Sequence, residues 1–220
     1  MKKILLIATG GTIASRPTAE GGLAPAITSD ELLAFVPELA DLGRIDAIQL
    51  YHLDSTSIGP AQWQGIAAAV RQNYDRYDGF VITHGTDTMA YTAAALSYMI
   101  QDSRKPVVLT GGQNSIYNRD TDARNNLWRA VFYACSPQAW GVQIVFDNSV
   151  ILGTRARKTR TKSFNAFSSI DYPETAIFRD RRLIPFLPRP LGSRPVRFYD
   201  KLDPAVFVLR LVPGMRADII

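Results

Sequence analysis

The sequence predicts an α/β protein with a mainly parallel sheet flanked by helices. Three observations carry that prediction. Short apolar runs alternate with amphipathic stretches through the first 150 residues, the pattern of successive βαβ units. Helix-opening signals fall between the runs. Glycine and hydroxyl residues cluster just after them, where open α/β sheets place their ligand loops.

The expected strands are Lys3–Ala8, Ala47–Tyr51, Phe80–Thr83, Pro106–Leu109 and Val142–Phe146. Between the first two, Thr28-Ser29-Asp30-Glu31 is a capping box opening a helix that carries Leu32, Leu33 and Phe35. Gly59-Pro60 opens a second helix, whose Trp63, Ile66, Ala67 and Val70 share one face. Met89–Ile100 forms a third with Ala93, Leu96 and Ile100, and Asp122 caps a fourth through Leu127, Ala130, Val131 and Ala134. Helices can thus cover both faces of the sheet.

After Val150 the texture turns basic and hydroxyl-rich, and Pro185, Pro188, Pro190 and Pro195 crowd one short stretch of linker composition. Val206–Val212 is a new apolar run of the kind buried in a sheet, and Pro213-Gly214-Met215 resembles a strand-to-helix turn. The expected organisation is therefore a first, site-bearing domain over 1–180, a linker over 181–203 and the first strand of an incomplete second α/β domain over 204–220. Such a strand needs a sheet, so association with a separate piece or another copy is expected.

Composition narrows the class. Of 220 residues, 46% are hydrophobic and 20% charged, which excludes disordered, collagen-like and coiled-coil classes. No run approaches the roughly 18 apolar residues of a membrane span. Met1-Lys2-Lys3 followed by Ile4–Ala8 imitates a secretion signal but stops at Thr9-Gly10-Gly11, so a cytoplasmic protein is expected. Cys135 is the single cysteine, and His52 and His84 are the two histidines, which argues against a disulfide framework or structural zinc. The net charge of +5 gathers in Arg155, Arg157, Lys158, Arg160 and Lys162 and again in Arg179, Arg181, Arg182, Arg189, Arg194 and Arg197. Nucleic acid is one partner for such a half; without a base-reading motif, solvated hairpins or small anionic substrates are the simpler one.

The chemistry is expected after the strands, in Ala8-Thr9-Gly10-Gly11-Thr12-Ile13, Leu53-Asp54-Ser55-Thr56-Ser57, Thr83-His84-Gly85-Thr86-Asp87-Thr88-Met89 and Leu109-Thr110-Gly111-Gly112-Gln113. Gly10-Gly11-Thr12 lacks the lysine of a Walker loop and the third glycine of a dinucleotide fingerprint. It is either a glycine-rich turn with a capping threonine or a turn presenting the Thr12 hydroxyl as a nucleophile, which then needs a base. His84 suits that role by type, but no carboxylate is visible to aim it, which favours a satisfied core histidine. Asp87 is either an ordinary acid at a helix start or, beside a lysine, half of an ion pair tuning a threonine–lysine relay. Spacing leaves Lys158 and Lys162 both open.

The runs Ala8-Thr9-Gly10-Gly11-Thr12-Ile13-Ala14, Asp78-Gly79-Phe80-Val81-Ile82-Thr83-His84-Gly85-Thr86-Asp87-Thr88-Met89 and Val107-Val108-Leu109-Thr110-Gly111 resemble those of bacterial-type L-asparaginases, over most of residues 1–175 and closest to the cytoplasmic type I branch. The resemblance implies that Thr12 attacks the side-chain amide to form an acyl-enzyme ester. It makes Thr86 and Asp87, with Lys158, the accompanying relay, and gives the substrate α-carboxylate to Ser55, with Thr56 beside it. Asp87 would pair with the α-ammonium, and the backbone N–H groups of Thr12 and Gly112 would hold the oxyanion. It implies L-asparagine as substrate, no metal or organic cofactor, no nucleic acid or membrane partner, and a homodimer or homotetramer.

Two departures stand out. Family members carry a tyrosine near Gly21-Gly22-Leu23-Ala24-Pro25, where this chain has Leu23, and they continue through a second domain. The alternatives are a glutaminase of mixed specificity, a truncated non-catalytic amino-acid-binding homologue, and an archaeal-type amidotransferase subunit, which normally carries a domain before the first strand.

Overall fold

The computed structural model describes residues 1–17, 23–190 and 194–216. The chain begins with β1 (Lys3–Gly10), the short pair β2 (Ser15–Pro17) and β3 (Leu23–Pro25), α1 (Ser29–Ala34) and β4 (Arg44–Leu53). There follow α2 (Pro60–Asn73), β5 (Gly79–Thr83), α3 (Met89–Met99), β6 (Ile100–Gln101), β7 (Val107–Thr110) and α4 (Ala123–Cys135). The rest is strand: β8 (Val142–Phe146), β9 (Ser149–Leu152), β10 (Ala156–Lys158), β11 (Phe167–Ser169), β12 (Ala176–Arg179), β13 (Arg182–Pro185) and β14 (Arg197–Phe198).

Eight strands form one sheet in the order β13-β12-β9-β8-β7-β5-β1-β4. The five from β8 to β4 run parallel, and β9, β12 and β13 extend them antiparallel. Side chains alternate along each strand. Ile4, Leu6, Val81, Val108 and Val145 therefore face α1 and α4, while Leu5, Ile7, Phe80, Ile82 and Ile144 face α2 and α3. Both faces are covered, as the sequence predicts.

The chain leaves β1 for β4 on one side, then returns past β1 to β5, so the topological switch lies between β1 and β5. A ligand crevice is expected at such a switch, outside the carboxyl ends of the strands. The crossovers through α1, α2 and α3 share one hand, since the direction of travel and the face reverse together. The fourth does not: α4 carries the chain onward from β7 to β8 on the face opposite α3. The Gly111–Asp122 connection must therefore pass over the ends of the strands to reach it. It runs back to the turn after β1, where Ile116 N–H donates to the Ile13 carbonyl at 3.0 Å and the Ser115 hydroxyl to the Ser15 carbonyl at 2.5 Å.

Three expectations change. Residues 182–185 are no linker: β12 and β13 form a hairpin that carries the main sheet to Pro185, an edge position where a missing N–H is tolerated. Residues 196–202 also dock, for β14 pairs with β6, the Phe198 ring meets Tyr74 edge-on at 5.6 Å, and Val196, Phe198 and Leu202 pack on the α2–α3 side. Val206–Val212 forms no strand and pairs with no strand among the described residues, and Val206, Phe207, Val208, Leu211 and Val212 are exposed. Gly21, Gly22 and the Leu23 side chain lie outside the described residues, as does 217–220.

Many of the clustered arginines are used internally. Arg197 pairs with Asp102 at 3.0 Å, Arg181 lies over the Trp128 ring at 4.3 Å, and Arg189 donates to the Arg104 carbonyl at 2.7 Å.

At Gly11 two strand-end turns meet backbone to backbone. A Cβ there would lie 2.3 Å from the Gly85 nitrogen, and φ is +77°. Gly11→Ala should lower stability by about 2 kcal/mol or more, a fall in Tm of roughly 5 °C. Gly141 is a control, with φ +59° and nothing within 4 Å of an added Cβ; Gly141→Ala should cost only about 1 kcal/mol of backbone strain. Equal Tm values for the two variants would refute the contact argument.

Candidate active site

Four loops meet at the carboxyl end of the sheet, and they meet through glycine. Gly11 N–H donates to the Leu53 carbonyl at 2.9 Å, which ties the turn after β1 to the one after β4. A Cβ on Gly85 would lie 2.6 Å from the Ser55 Cβ, and one on Gly111 2.3 Å from the His84 carbonyl oxygen. Each loop has a neighbour's backbone or Cβ where its own side chain would be. The residues that follow these glycines, Thr12, Thr86 and Gly112, are thereby gathered with Ser55 around the β1–β5 switch.

Thr12 opens a single 3-10 turn, Thr12–Ala14, is partly exposed, and its hydroxyl makes no hydrogen bond among the described residues. Ser55 is 2% exposed, and its carbonyl accepts from the Thr88 hydroxyl at 2.6 Å. Thr56 is exposed, with its N–H and hydroxyl both on Asp54 Oδ1, at 2.8 and 2.7 Å. Those two bonds hold the Asp54 carboxyl below its ordinary range. Gly112 is buried where a Cβ would collide with the Asn114 carbonyl oxygen and Ala123.

The cation arrives from far along the chain. Lys158 ends β10, which pairs with β11 and is seated by Phe167 against Phe146, ring centroids 4.9 Å apart. Its Nζ lies 2.7 Å from Thr86 Oγ1 and 2.7 Å from Asp87 Oδ1. Lys158, and not Lys162, makes the hydroxyl–amine–carboxylate cluster. The Lys158 side chain is 14% exposed and that of Asp87 61%, so the pair is sheltered on one side and open on the other. Both line an open groove of about 740 Å³ together with Tyr91 and Arg157.

His84 is a supporting residue. It is fully buried, and the direction of its bonds follows from the Gly85 carbonyl, which can only accept. The single proton of the neutral imidazole therefore sits on Nδ1 and goes to the Gly85 carbonyl at 2.7 Å, the bare Nε2 accepts from the Thr92 hydroxyl at 2.9 Å, and Thr92 Oγ1 in turn accepts from Trp63 Nε1 at 2.9 Å. The chain of bonds ends on the peptide preceding Thr86.

Two residues given no such role by the sequence also belong here. Gln113 accepts from Thr86 Oγ1 at 3.1 Å. Asp122 stands at the start of α4 as expected, but its side chain makes no cap bond to that helix. It accepts instead from the N–H groups of Gln113 and Asn114, at 2.9 and 3.0 Å. Asp-to-loop bonding of this kind has no local signal, since its partners are set by the path of the Gly111–Asp122 connection.

Residues 3–187 match the family described as Asparaginase, N-terminal, and the chain belongs to the asparaginase family. It is 40% identical over 220 residues to L-asparaginase of Thermococcus kodakarensis, covering 99% of this chain and 66% of that protein. A solved thermostable L-asparaginase from the same organism has a TM-score of 0.91 at 38% identity, over 99% of this chain and 66% of that one. L-asparaginase 1 of Escherichia coli is 35% identical over 225 residues, covering all of this chain and 66% of that protein. A glutamyl-tRNA(Gln) amidotransferase subunit of Metallosphaera sedula is 36% identical, over 99% of this chain and 52% of its own length. The chain thus spans about two thirds of the curated L-asparaginases it matches. Among the described residues no helix is long and apolar enough to cross a membrane.

Burial pushes the His84 imidazole down to about 4. The unfolded chain, titrating near 6.5, binds the extra proton first, so this contribution is complete above about pH 6.5 and is lost as pH falls toward 4. The loss should be on the order of 3 kcal/mol between about pH 7 and pH 4. Urea unfolding of wild type and His84→Gln at both pH values checks it. An equally steep loss in the variant would assign the acid sensitivity to other groups.

Proposed function

We propose that this chain forms the catalytic part of an amidohydrolase that converts L-asparagine to L-aspartate and ammonia. The observation that carries the reading is Lys158 Nζ at 2.7 Å from both Thr86 Oγ1 and Asp87 Oδ1, beside a turn presenting Thr12. A threonine hydroxyl is a weak nucleophile until its proton is taken, and this cluster supplies a route for that proton.

In the proposed sequence Thr12 Oγ adds to the side-chain amide carbon. Backbone N–H groups at Thr12 and Gly112 stabilise the oxyanion. The C–N bond breaks, ammonia departs with the transferred proton, and an ester to Thr12 remains. Water, deprotonated through Thr86 and Lys158, adds to that ester and releases aspartate and the free hydroxyl. Ser55 holds the α-carboxylate with Thr56 beside it, and Asp87 pairs with the α-ammonium. Because Thr56 Oγ1 donates to Asp54, its contribution is that of an acceptor or a spacer. The reaction calls for no metal or organic cofactor. A cytoplasmic homo-oligomer, or a partner piece supplying the second domain begun at 204–220, completes the proposal.

A second reading rests on the 36% identity to the glutamyl-tRNA(Gln) amidotransferase. A pocket deeper by one methylene would change the preference between asparagine and glutamine by only about 1–3 kcal/mol. Ammonia release from each amino acid, compared as kcat/KM, separates the two. Asparagine should lead.

Thr12→Ala should reduce turnover by roughly 10³-fold or more while leaving the melting transition in place. Lys158→Met should be comparably damaging. Thr12→Ala turnover above about a tenth of wild type would remove Thr12 as the nucleophile.

A further inference from the structure

We infer that Gln113 is a positioning residue that fixes where the Thr86 hydroxyl proton points, an inference that rests on the proposed Thr86–Lys158 relay. A hydroxyl has one proton and two lone pairs, and an ammonium can only donate. Thr86 Oγ1 accepts from Lys158 Nζ at 2.7 Å, so its single proton is left for Gln113 Oε1 at 3.1 Å. The amide cannot be turned around. Its Nε2 faces two carbonyl oxygens, of Thr161 at 2.9 Å and Ser163 at 3.1 Å, and these only accept. The side chain is therefore held with its acceptor toward Thr86 and its donors on the segment just after Lys158.

The support extends outward on both sides. Gln113 N–H is bound by Asp122 Oδ2 at 2.9 Å, and Asn126 Nδ2 donates to the same carboxylate oxygen at 3.1 Å. The segment carrying Thr161 and Ser163 is closed by Thr159 N–H on the Ala166 carbonyl at 2.8 Å and by Arg160 on the Asn165 carbonyl at 2.9 Å. With the resting Thr86 proton directed at Gln113, the oxygen keeps a lone pair free for the proton coming from Thr12 or water; as that proton arrives, Thr86 passes its own to Lys158 Nζ, which has first released one to the solvent of the open groove. The relay is thus set in the accepting orientation before substrate arrives. Gln113 acts through Thr86.

Three variants test this: Gln113→Met, which removes acceptor and donors together; Gln113→Glu, whose protonated carboxyl restores a carbonyl acceptor and an O–H donor; and Arg160→Met, which loosens the same segment without touching Thr86. In the purified protein, Gln113→Met should lower kcat for asparagine roughly tenfold or more, with KM changed less than about twofold. The ratio of Gln113→Glu to wild-type kcat should rise as pH falls through the carboxyl range, because only the protonated side chain reproduces the amide's donor and acceptor. Arg160→Met should keep kcat near wild type. The chain of bonds is also readable without substrate, as the rate of Lys158 acetylation by acetic anhydride mapped by peptide mass. That rate should rise roughly threefold or more in Gln113→Met and stay unchanged in Arg160→Met, since a loosened Thr86 frees the amine.

Equal losses of kcat in Arg160→Met and Gln113→Met, or a KM effect as large as the kcat effect, would reduce Gln113 to a staple of the segment and overturn the inference. So would unchanged Lys158 labelling. A wild-type protein that releases ammonia from neither amino acid would overturn the proposed activity instead, and the labelling would still decide the role of Gln113.

Discussion

The backbone of Gly11 touches the backbone of Gly85, and the site depends on that contact. Two parallel strands, β1 and β5, run side by side to their ends, and in an ordinary sheet the turns beyond them would diverge with their side chains between them. Here neither turn has a side chain at the point of approach: a Cβ on Gly11 would stand 2.3 Å from the Gly85 nitrogen, and one on Gly85 2.7 Å from the Ser55 hydroxyl. The next residue along each chain is a threonine. Removing two Cβ atoms thus brings two hydroxyl-bearing residues, Thr12 and Thr86, to the same crevice from different strands. Backbone contacts of this kind have little freedom to adjust, because each is anchored by a fully paired strand behind it.

Around that contact the polar groups are arranged so that each proton has one place to go. The Gly85 carbonyl can only accept, which fixes the His84 tautomer and then the Thr92 hydroxyl, whose oxygen takes the Trp63 N–H. On the other side two carbonyls can only accept, which orients Gln113 and through it Thr86. The peptide before Thr86 and the side chain of Thr86 are thus set by separate networks, one buried under α2 and α3 and one laid over the top by the loop after β7. Buried networks of this sort restrict the number of arrangements a site can adopt. His84, the obvious base by residue type, is excluded from that role by the same network: both its ring nitrogens are occupied and it is fully enclosed.

Legibility in the sequence follows the range of the forces involved. The central parallel strands were legible because they are buried on both faces and therefore mostly apolar; Val142–Phe146 is found with the same limits, whereas the edge strand β4, half-buried and carrying Arg44, Asp46, Gln49 and His52, runs further at both ends than the expected Ala47–Tyr51. The capping box at Thr28 and Glu31 was legible because its two bonds are made within one turn. The antiparallel extension was not, for β9, β12 and β13 are four residues each, and the β12–β13 turn uses Asp180 and Arg181 at φ 49° and 60° where glycine or asparagine would have signalled it. The prolines suggested a linker across a segment whose ends dock on an edge strand and on Tyr74. In the site, Thr12, Ser55, Thr86 and Asp87 stood out because glycine turns mark them. Lys158 could not be chosen over Lys162 by spacing, since its distance from Thr86 is set by a hairpin packed 72 residues away. Gln113 and Asp122 carried no signal of their roles at all.

That last silence has a structural cause. Three parallel crossovers in this sheet share the hand that right-twisted strands favour, and the one through α4 has the other. A crossover of the favoured hand after β7 would have placed α4 beside α3 and let the chain turn down directly from the strand end. Placing α4 on the opposite face, against Ile4, Leu6 and Val108, obliges the chain to travel across the carboxyl ends of β5 and β1 first. The Gly111–Asp122 connection is the result: it lies over Thr86, bonds to Ile13 and Ser15, and returns to a carboxylate at the head of α4 that holds its own start in place. The unusual hand and the covering loop are one feature. A sheet wound throughout in the common sense would have kept the glycine contact and both threonines but left the Thr86 hydroxyl without the amide that directs it.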